Sequence, residues 1–134
     1  MTTTPALSET TIRVRYAETD KMGVVYYANY LVWFEVGRTE WLRDRGWTYA
    51  EMEANGMKLP VIGAQCEYLR SARYDEAIVL RTTGVMHSAV RVEFLYEVLK
   101  EDGTVAARGS TMHAAVDDHG RPCRMPERVR EVFQ

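Results

Sequence analysis

Histidine is scarce in this chain. Its three copies, His87, His113 and His119, lack the spacing of a metal-ligand set and read as ordinary strand or turn residues. Cysteine is scarcer: Cys66 and Cys123 form no close motif, and reduced cytosolic thiols are favoured over a disulfide that spacing alone leaves open. No stretch approaches the roughly 18 apolar residues of a membrane span. The opening MTTTPALSET has neither the basic start nor the apolar run of a signal peptide. Neither sign of charge dominates, and a net charge of -2 offers no broad basic field to nucleic acid. Repeats, low-complexity runs and domain linkers are missing too. These absences point to a cytoplasmic protein of one domain, because 134 residues suffice for one proper core and not for two.

What is present is organised around residues 14–45. The stretch reads as the end of a strand, a loop with an acid and a glycine, and one long helix from Ala28 to Arg45. At roughly 1.5 Å per residue that helix is about 27 Å long. Tyr30, Trp33, Phe34, Gly37 and Trp41 recur at helical spacing and mark a buried face, while Glu35, Arg38, Arg43 and Asp44 fall mostly on the other. Gly37, amid three large aromatics, predicts a close approach to another backbone, against small residues such as Ala106 or Ala114. Asn29 is the expected N-cap, and Gly46 lies just past the basic last turn.

The rest of the chain is read around that helix. Residues 1–9 are expected to be a flexible arm, and residues 10–134 the single folded domain. Thr10 to Tyr16 alternates as a strand with Ile12, Val14 and Tyr16 on its buried face. Thr48 to Asn55 forms a short helix, capped by Thr48 with Glu51 three residues on. Four strand-like stretches follow: Leu59 to Tyr74 interrupted by Gly63, Glu76 to His87, Val90 to Leu99, and Thr104 to Val116. Asp102-Gly103 supplies a hairpin turn, and Pro126 to Phe133 a terminal helical turn. Short connections imply an antiparallel sheet of about five strands, with the helix covering one face. The class is α+β, a sheet curled around one helix, with Ala106, Ala107, Gly109, Ala114 and Ala115 making room for the bulky face.

Asp20 sits between Thr19 and Gly23, shortly before the helix. A helix N-terminus presents unpaired N–H groups and a positive dipole end, suited to a carbonyl oxygen gaining negative charge. A carboxylate beside it can activate water or attack an acyl carbon, or it can simply cap its loop. Spacing alone favours the capping role.

The run YAETDKMGVVYYANYLVWFEVGRTEWL resembles the signature segment of the 4-hydroxybenzoyl-CoA thioesterase-like hotdog family, which includes the acyl-CoA thioesterases found with the Tol–Pal system. Thr19, Asp20, Gly23, Tyr26, Tyr27, Tyr30, Trp33, Phe34 and Glu35 match its pattern, and the resemblance extends over residues 10–133. It implies a hotdog fold and an acyl-CoA thioesterase needing no metal or redox cofactor. In that family Asp20 is the catalytic carboxylate, as base or nucleophile, and the backbone N–H of Tyr27 polarises the thioester carbonyl. Gly23, Tyr26 and Tyr30 are the implied substrate-binding residues, with Met22 and Met57 as further candidates for the acyl pocket. Tol–Pal relatives often have histidine where this chain has Tyr27. The resemblance also implies a homo-oligomer, dimer or tetramer, with sites at the subunit interface.

Two rival readings remain. A hotdog hydratase or dehydratase pairs its aspartate with a nearby histidine, and none lies between Asp20 and Arg45. A non-catalytic acyl-CoA binding protein would keep the fold and the pocket. Glu35 reads as an ion-pair partner of Arg38 or Thr39. Alternation leaves the direction of Glu18 open, and only the family match prefers Asp20. Both glutamates are taken as bystanders to the chemistry. Arg70, Arg73, Arg91, Arg121 and Arg124 are candidates to meet the CoA phosphates.

Overall fold

Five strands and three helices follow one another in the computed structural model, which describes residues 6–134. In chain order they are β1 (Leu7–Arg13), α1 (Asn29–Asp44), α2 (Tyr49–Ala54), β2 (Val61–Tyr68), β3 (Ala77–Met86), β4 (Arg91–Leu99), β5 (Val105–Ala114) and α3 (Glu127–Val132). All strand pairs are antiparallel, in the order β1-β3-β4-β5-β2. One rung runs Thr10, Leu80, Val98, Ala107, Tyr68 across the sheet. This is the expected hotdog architecture, one long helix held by a five-stranded sheet.

The expected arm is shorter than nine residues. Leu7, Ser8 and Glu9 already pair with Thr83, Thr82 and Arg81, and residues 1–5 of that arm lie outside the described residues. At its far end β1 stops at Arg13. Tyr16 leaves the alternation, enters a 3-10 turn over Tyr16–Glu18, and is 77% exposed rather than buried.

Consecutive order in sequence does not give consecutive order in the sheet. β3, β4 and β5 form the two expected hairpins, with Gly103 at a φ of 87° in the second turn. β2 instead lies at the far edge beyond β5, so residues 69–76 cross back to reach β3. That crossing runs beside the candidate loop. Ala72 accepts from Val25 N–H at 2.8 Å, Arg73 bridges Val24, and Asp75 and Glu76 bond Val14.

The buried face of α1 is the expected one, with Leu42 added. Phe34 stacks on Tyr96, with centroids 4.2 Å apart, and Trp41 meets Phe94 edge-on at 5.5 Å. Such contact needs gaps in the opposing surface. A Cβ on Gly109 would run into the Phe34 ring and lie 2.5 Å from the Gln65 carbonyl. A Cβ on Gly84 would lie 2.8 Å from Cη2 of Trp41. Gly37 reverses the arrangement: it lets the helix backbone down onto β3, where a Cβ would lie 2.6 Å from Leu80 Cδ2 and crowd Thr82 Oγ1. The expected contact with Ala106 or Ala114 is therefore corrected to Leu80 and Thr82.

Arg38 also departs from expectation. It is partly buried beside Tyr96 and Tyr49, the Tyr49 hydroxyl having no hydrogen-bond partner, and Glu35 forms no ion pair among the described residues. From Tyr96 the polar chain continues to Thr111 Oγ1 (2.6 Å), to His113 Nε2 (2.8 Å), and from His113 Nδ1 to the Leu59 carbonyl (2.9 Å). Short polar groups on adjacent strands thus satisfy one another inside the core. His87 and His119 match the plain reading: one pairs with Glu93 on the surface and the other sits in a turn. Cys66 and Cys123 are free thiols.

Gly37→Val should destabilise the fold by roughly 1–3 kcal/mol through overpacking. An unchanged or raised melting temperature would place Gly37 on the wrong face. His113 gives a pH-dependent expectation. Burial, and to a lesser degree Arg38, hold its imidazole below the ordinary 6.5, against the Leu59 carbonyl bond. Between the folded and unfolded values the unfolded chain takes up a proton that the folded chain refuses. Stability should therefore fall as pH drops through 6.5. Denaturant midpoints from about pH 7.5 to about pH 5.5 should decline more steeply in the parent than in His113→Gln; equal slopes would mean a protonated imidazole in the fold.

Candidate active site

The loop that leads into α1 is closed on itself. Thr19 bridges Val25, Asp20 N–H donates to the Val24 carbonyl at 2.9 Å, and Gly23 N–H to the Asp20 carbonyl at 3.0 Å. Gly23 has a φ of 81°, the left-handed conformation this tight turn requires. The Asp20 carboxylate is held by one oxygen: Met22 N–H donates to Oδ1 at 2.9 Å. Oδ2 has no protein partner among the described residues. A capping role and an available oxygen therefore coexist in one side chain.

The helix end supplies donors. Ala28, not Asn29, is the N-cap, and the first bonds are of the tighter 3-10 type, from Asn29 N–H to Tyr26 and from Tyr30 N–H to Tyr27. Asn29 is drawn away because its side-chain amide donates to the Glu18 carbonyl at 2.8 Å. No acceptor lies on the N–H of Tyr27 among the described residues, and Tyr27 immediately precedes the N-cap at the positive end of the helix.

Asp20 and Tyr27 meet on one cavity of about 260 Å³, lined also by Met22, Val24, Val25, Tyr30 and the segment from Tyr68 to Ser71. Tyr30 is nearly buried and contributes an edge of its ring to that wall. Of the expected site residues, Asp20, Tyr27 and Tyr30 are thus brought together, as is Met22. Gly23 shapes the turn instead of lining the cavity. Tyr26 rests against the Tyr27 ring at 4.6 Å and lies outside the wall. Met57 is buried in the core, away from the cavity.

Tyr68 is the residue that reading the sequence missed. It ends β2, its ring stands edge-on to Tyr27 and Tyr30, and its hydroxyl donates to the Tyr27 carbonyl at 3.0 Å. Burial first, then the neighbouring Cys66 thiol, push its phenol up to about 12, so it remains a donor. Its being the one aromatic residue of that strand was the available signal.

Among the five arginine candidates, Arg70 lines the cavity and the Arg73 guanidinium lies beside Gly23. Neither side chain has an acidic partner among the described residues. Arg91, Arg121 and Arg124 lie at the start of β4 and after β5, outside the wall.

Glu18, whose direction alternation left open, turns inward. Its side chain is buried and accepts from Arg15 N–H at 2.8 Å and from the Trp33 indole N–H at 2.9 Å. It points away from the cavity, which leaves Asp20 as the carboxylate on the wall. No group of metal-ligating side chains and no helix long and apolar enough to cross a membrane occurs among the described residues.

A curled antiparallel sheet around one helix, with a carboxylate loop leading into the helix N-terminus, defines the class of the hotdog thioester hydrolases. The chain belongs to the Thioesterase-like superfamily, whose family model matches residues 14–133. It is similar to Bacillus subtilis YneP, whose name marks it as a candidate acyl-CoA thioesterase: 38% identity over 111 residues, 83% of this chain and 80% of the relative. The Haemophilus influenzae acyl-CoA thioesterase YbgC is 30% identical over 125 residues, 91% of this chain and 90% of that one. The crystal structure of a DHNA-CoA thioesterase from Staphylococcus aureus superposes with a TM-score of 0.84 at 39% identity, over 88% of this chain and 80% of that one.

Proposed function

We propose that the protein is an acyl-CoA thioesterase in which Asp20 activates water or attacks the acyl carbon, while Tyr27 N–H receives the carbonyl oxygen. The observation that carries the reading is that Asp20, with a free carboxylate oxygen, and Tyr27, with an unpartnered N–H beside the helix end, line one cavity. A thioester carbonyl bonded to the N–H gains negative charge as it becomes tetrahedral, and the helix dipole favours that charge. Expulsion of the thiolate then yields the free acid and CoA. If Asp20 attacks directly, a mixed anhydride forms first and water resolves it. The acyl group lies along Tyr27, Tyr30, Met22 and Tyr68, and Arg70 and Arg73 supply cations at the mouth for the phosphates.

The hydratase reading lacks its second group. The buried histidine, His113, is held by Leu59 and Thr111 and does not reach the cavity wall. For a binding protein without catalysis, the free Oδ2 of Asp20 would have no task.

The functional form is an oligomer with β2 at its seam. β2 is exposed along almost its whole length, and Leu31, Val32 and Val36 form an exposed apolar stripe on α1. An unpaired edge with such faces favours cover by a second copy. Tyr68 ends that strand and also lines the cavity, so pairing there brings a partner to the site. Light scattering at micromolar concentration should give a mass at least twice the protomer's; a 15.4 kDa species would remove both the assembly and the shared site.

Asp20→Asn keeps size and most hydrogen bonding but removes the charge. The kcat on the best substrate of an aromatic, short-chain and long-chain acyl-CoA screen should fall by about 10²–10⁴-fold, with a small change in KM. Exposed Glu35→Gln is the control. The reading fails if Asp20→Asn works within a few-fold of the parent, or if the parent hydrolyses none of the panel.

A further inference from the structure

Residue 18 gathers more bonds than any neighbour in the loop, and they span its whole length. Its carboxylate takes Arg15 N–H and the Trp33 indole, with the Arg15 guanidinium 3.6 Å away. Its carbonyl takes Tyr26 N–H and the Asn29 side-chain amide, each at 2.8 Å. Donors thus reach residue 18 from before the loop, from its last turn and from the body of α1.

A buried charge of this kind is a poor device for stability alone. Moving a carboxylate out of water costs several kcal/mol unless donors satisfy it, and an apolar or neutral side chain of similar shape commonly serves as well. The contacts of Glu18 suggest what it does instead. Both Asp20 and Tyr27 lie between Glu18 and Asn29, the two residues joined across the neck of the loop. Tyr26 N–H, bonded to Glu18, is the amide immediately before the proposed oxyanion donor. Trp33, bonded by its indole, packs 4.8 Å from the Tyr30 ring, which lines the cavity.

We infer that Glu18 is the positioning residue of the site: through Trp33 and Asn29 it fixes the separation and mutual orientation of the Asp20 carboxylate and the Tyr27 N–H. It touches neither substrate nor the reacting atoms. The assignment rests on the thioesterase reading above. Its physical basis is that a misplacement of about 1 Å between reacting groups can cost about 10²-fold in rate, whereas binding of the distant CoA moiety is insensitive to it.

The test uses the assembled full-length protein with Glu18→Gln, Trp33→Phe and the double variant. Glutamine can accept from the indole but presents its amide N–H₂ towards Arg15 N–H, where two donors meet. Phenylalanine removes one donor and leaves a smaller ring in the core, so its melting temperature is read beside its kcat. Each single variant should lower kcat about 10–100-fold, with KM within about threefold. The double variant should be little worse than the weaker single, because both break the same tether. If Glu18→Gln does not fold, Trp33→Phe and Asn29→Ala, which removes one of the two donors on the carbonyl of residue 18, make the same test.

A merely structural role predicts a different outcome: lower melting temperatures with parental kcat at 25 °C, which would overturn the assignment. So would a kcat–pH profile whose acidic limb vanishes in Glu18→Gln while persisting in Asp20→Asn, since Glu18 would then be the titrating base. A parent active on acyl-CoA with unimpaired Glu18 and Trp33 variants removes this inference alone. A parent inactive on every acyl-CoA removes the thioesterase reading, and this inference with it.

Discussion

Everything in this molecule depends on how deeply α1 sinks into its sheet. Three glycines set that depth. Gly37 lowers the helix backbone onto β3, Gly84 receives Trp41, and Gly109 receives Phe34. Where side chains are absent on one surface, rings from the other fill the space. The depth then fixes where the N-terminus of α1 emerges. The loop that delivers Asp20 begins at the end of β1 and ends at that N-terminus, so its two anchors are set by the core and not by the loop itself.

The crossing segment 69–76 converts this anchoring into a cavity. β2 lies at the opposite edge from β1, and the chain must return across the mouth of the fold to begin β3. On the way Ala72 and Arg73 bond the outgoing side of the loop, at Val25 and Val24, and Asp75 and Glu76 bond Val14. Leu69, Arg70 and Ser71 are left as one wall, with the loop and the helix end as the other. Tyr68 closes the corner by reaching the Tyr27 carbonyl. That bond also polarises the peptide whose N–H belongs to Ala28, next along the helix end, since hydrogen bonds in series strengthen one another.

Much of this was legible in the chain. The period of Tyr30, Trp33, Phe34, Gly37 and Trp41 gave the buried face of α1, and the alternation from Val90 to Val98 gave β4, because both patterns follow from local geometry. The candidacy of Asp20 came from its family likeness; spacing alone pointed to a cap, and the structure shows that cap. What escaped were features fixed by residues far apart in sequence. Hydrophobic pattern does not say that β2 pairs with β5 instead of β3. It cannot show that Arg38 is partly buried, since the rings beside it come from Tyr49 and Tyr96, far off in the chain. The burial of Glu18 escaped for the same reason: its partner Trp33 is 15 positions away and was itself read simply as core. Gly84 and Gly109 mattered through the rings above them, which only the register reveals.

The two edges of the sheet are treated differently, and the contrast bears on how the protein is completed. β1, at one edge, has Glu9 and Arg13 among its seven residues, and both are tied down, Glu9 to Arg81 and Arg13 to Asp75. Charges held along an edge discourage a second strand from adding there. β2, at the other edge, reads VIGAQCEY, with one acid and no lysine, arginine or proline. Beyond that acid and a register shift between Val61 and Gly63, nothing in it resists pairing, although it is the more exposed of the two. A solitary protomer would gain from a guard at β2 just as it has one at β1. The unguarded edge, ending in a tyrosine that belongs to the cavity, therefore supports a seam at which a second copy both covers β2 and approaches the site.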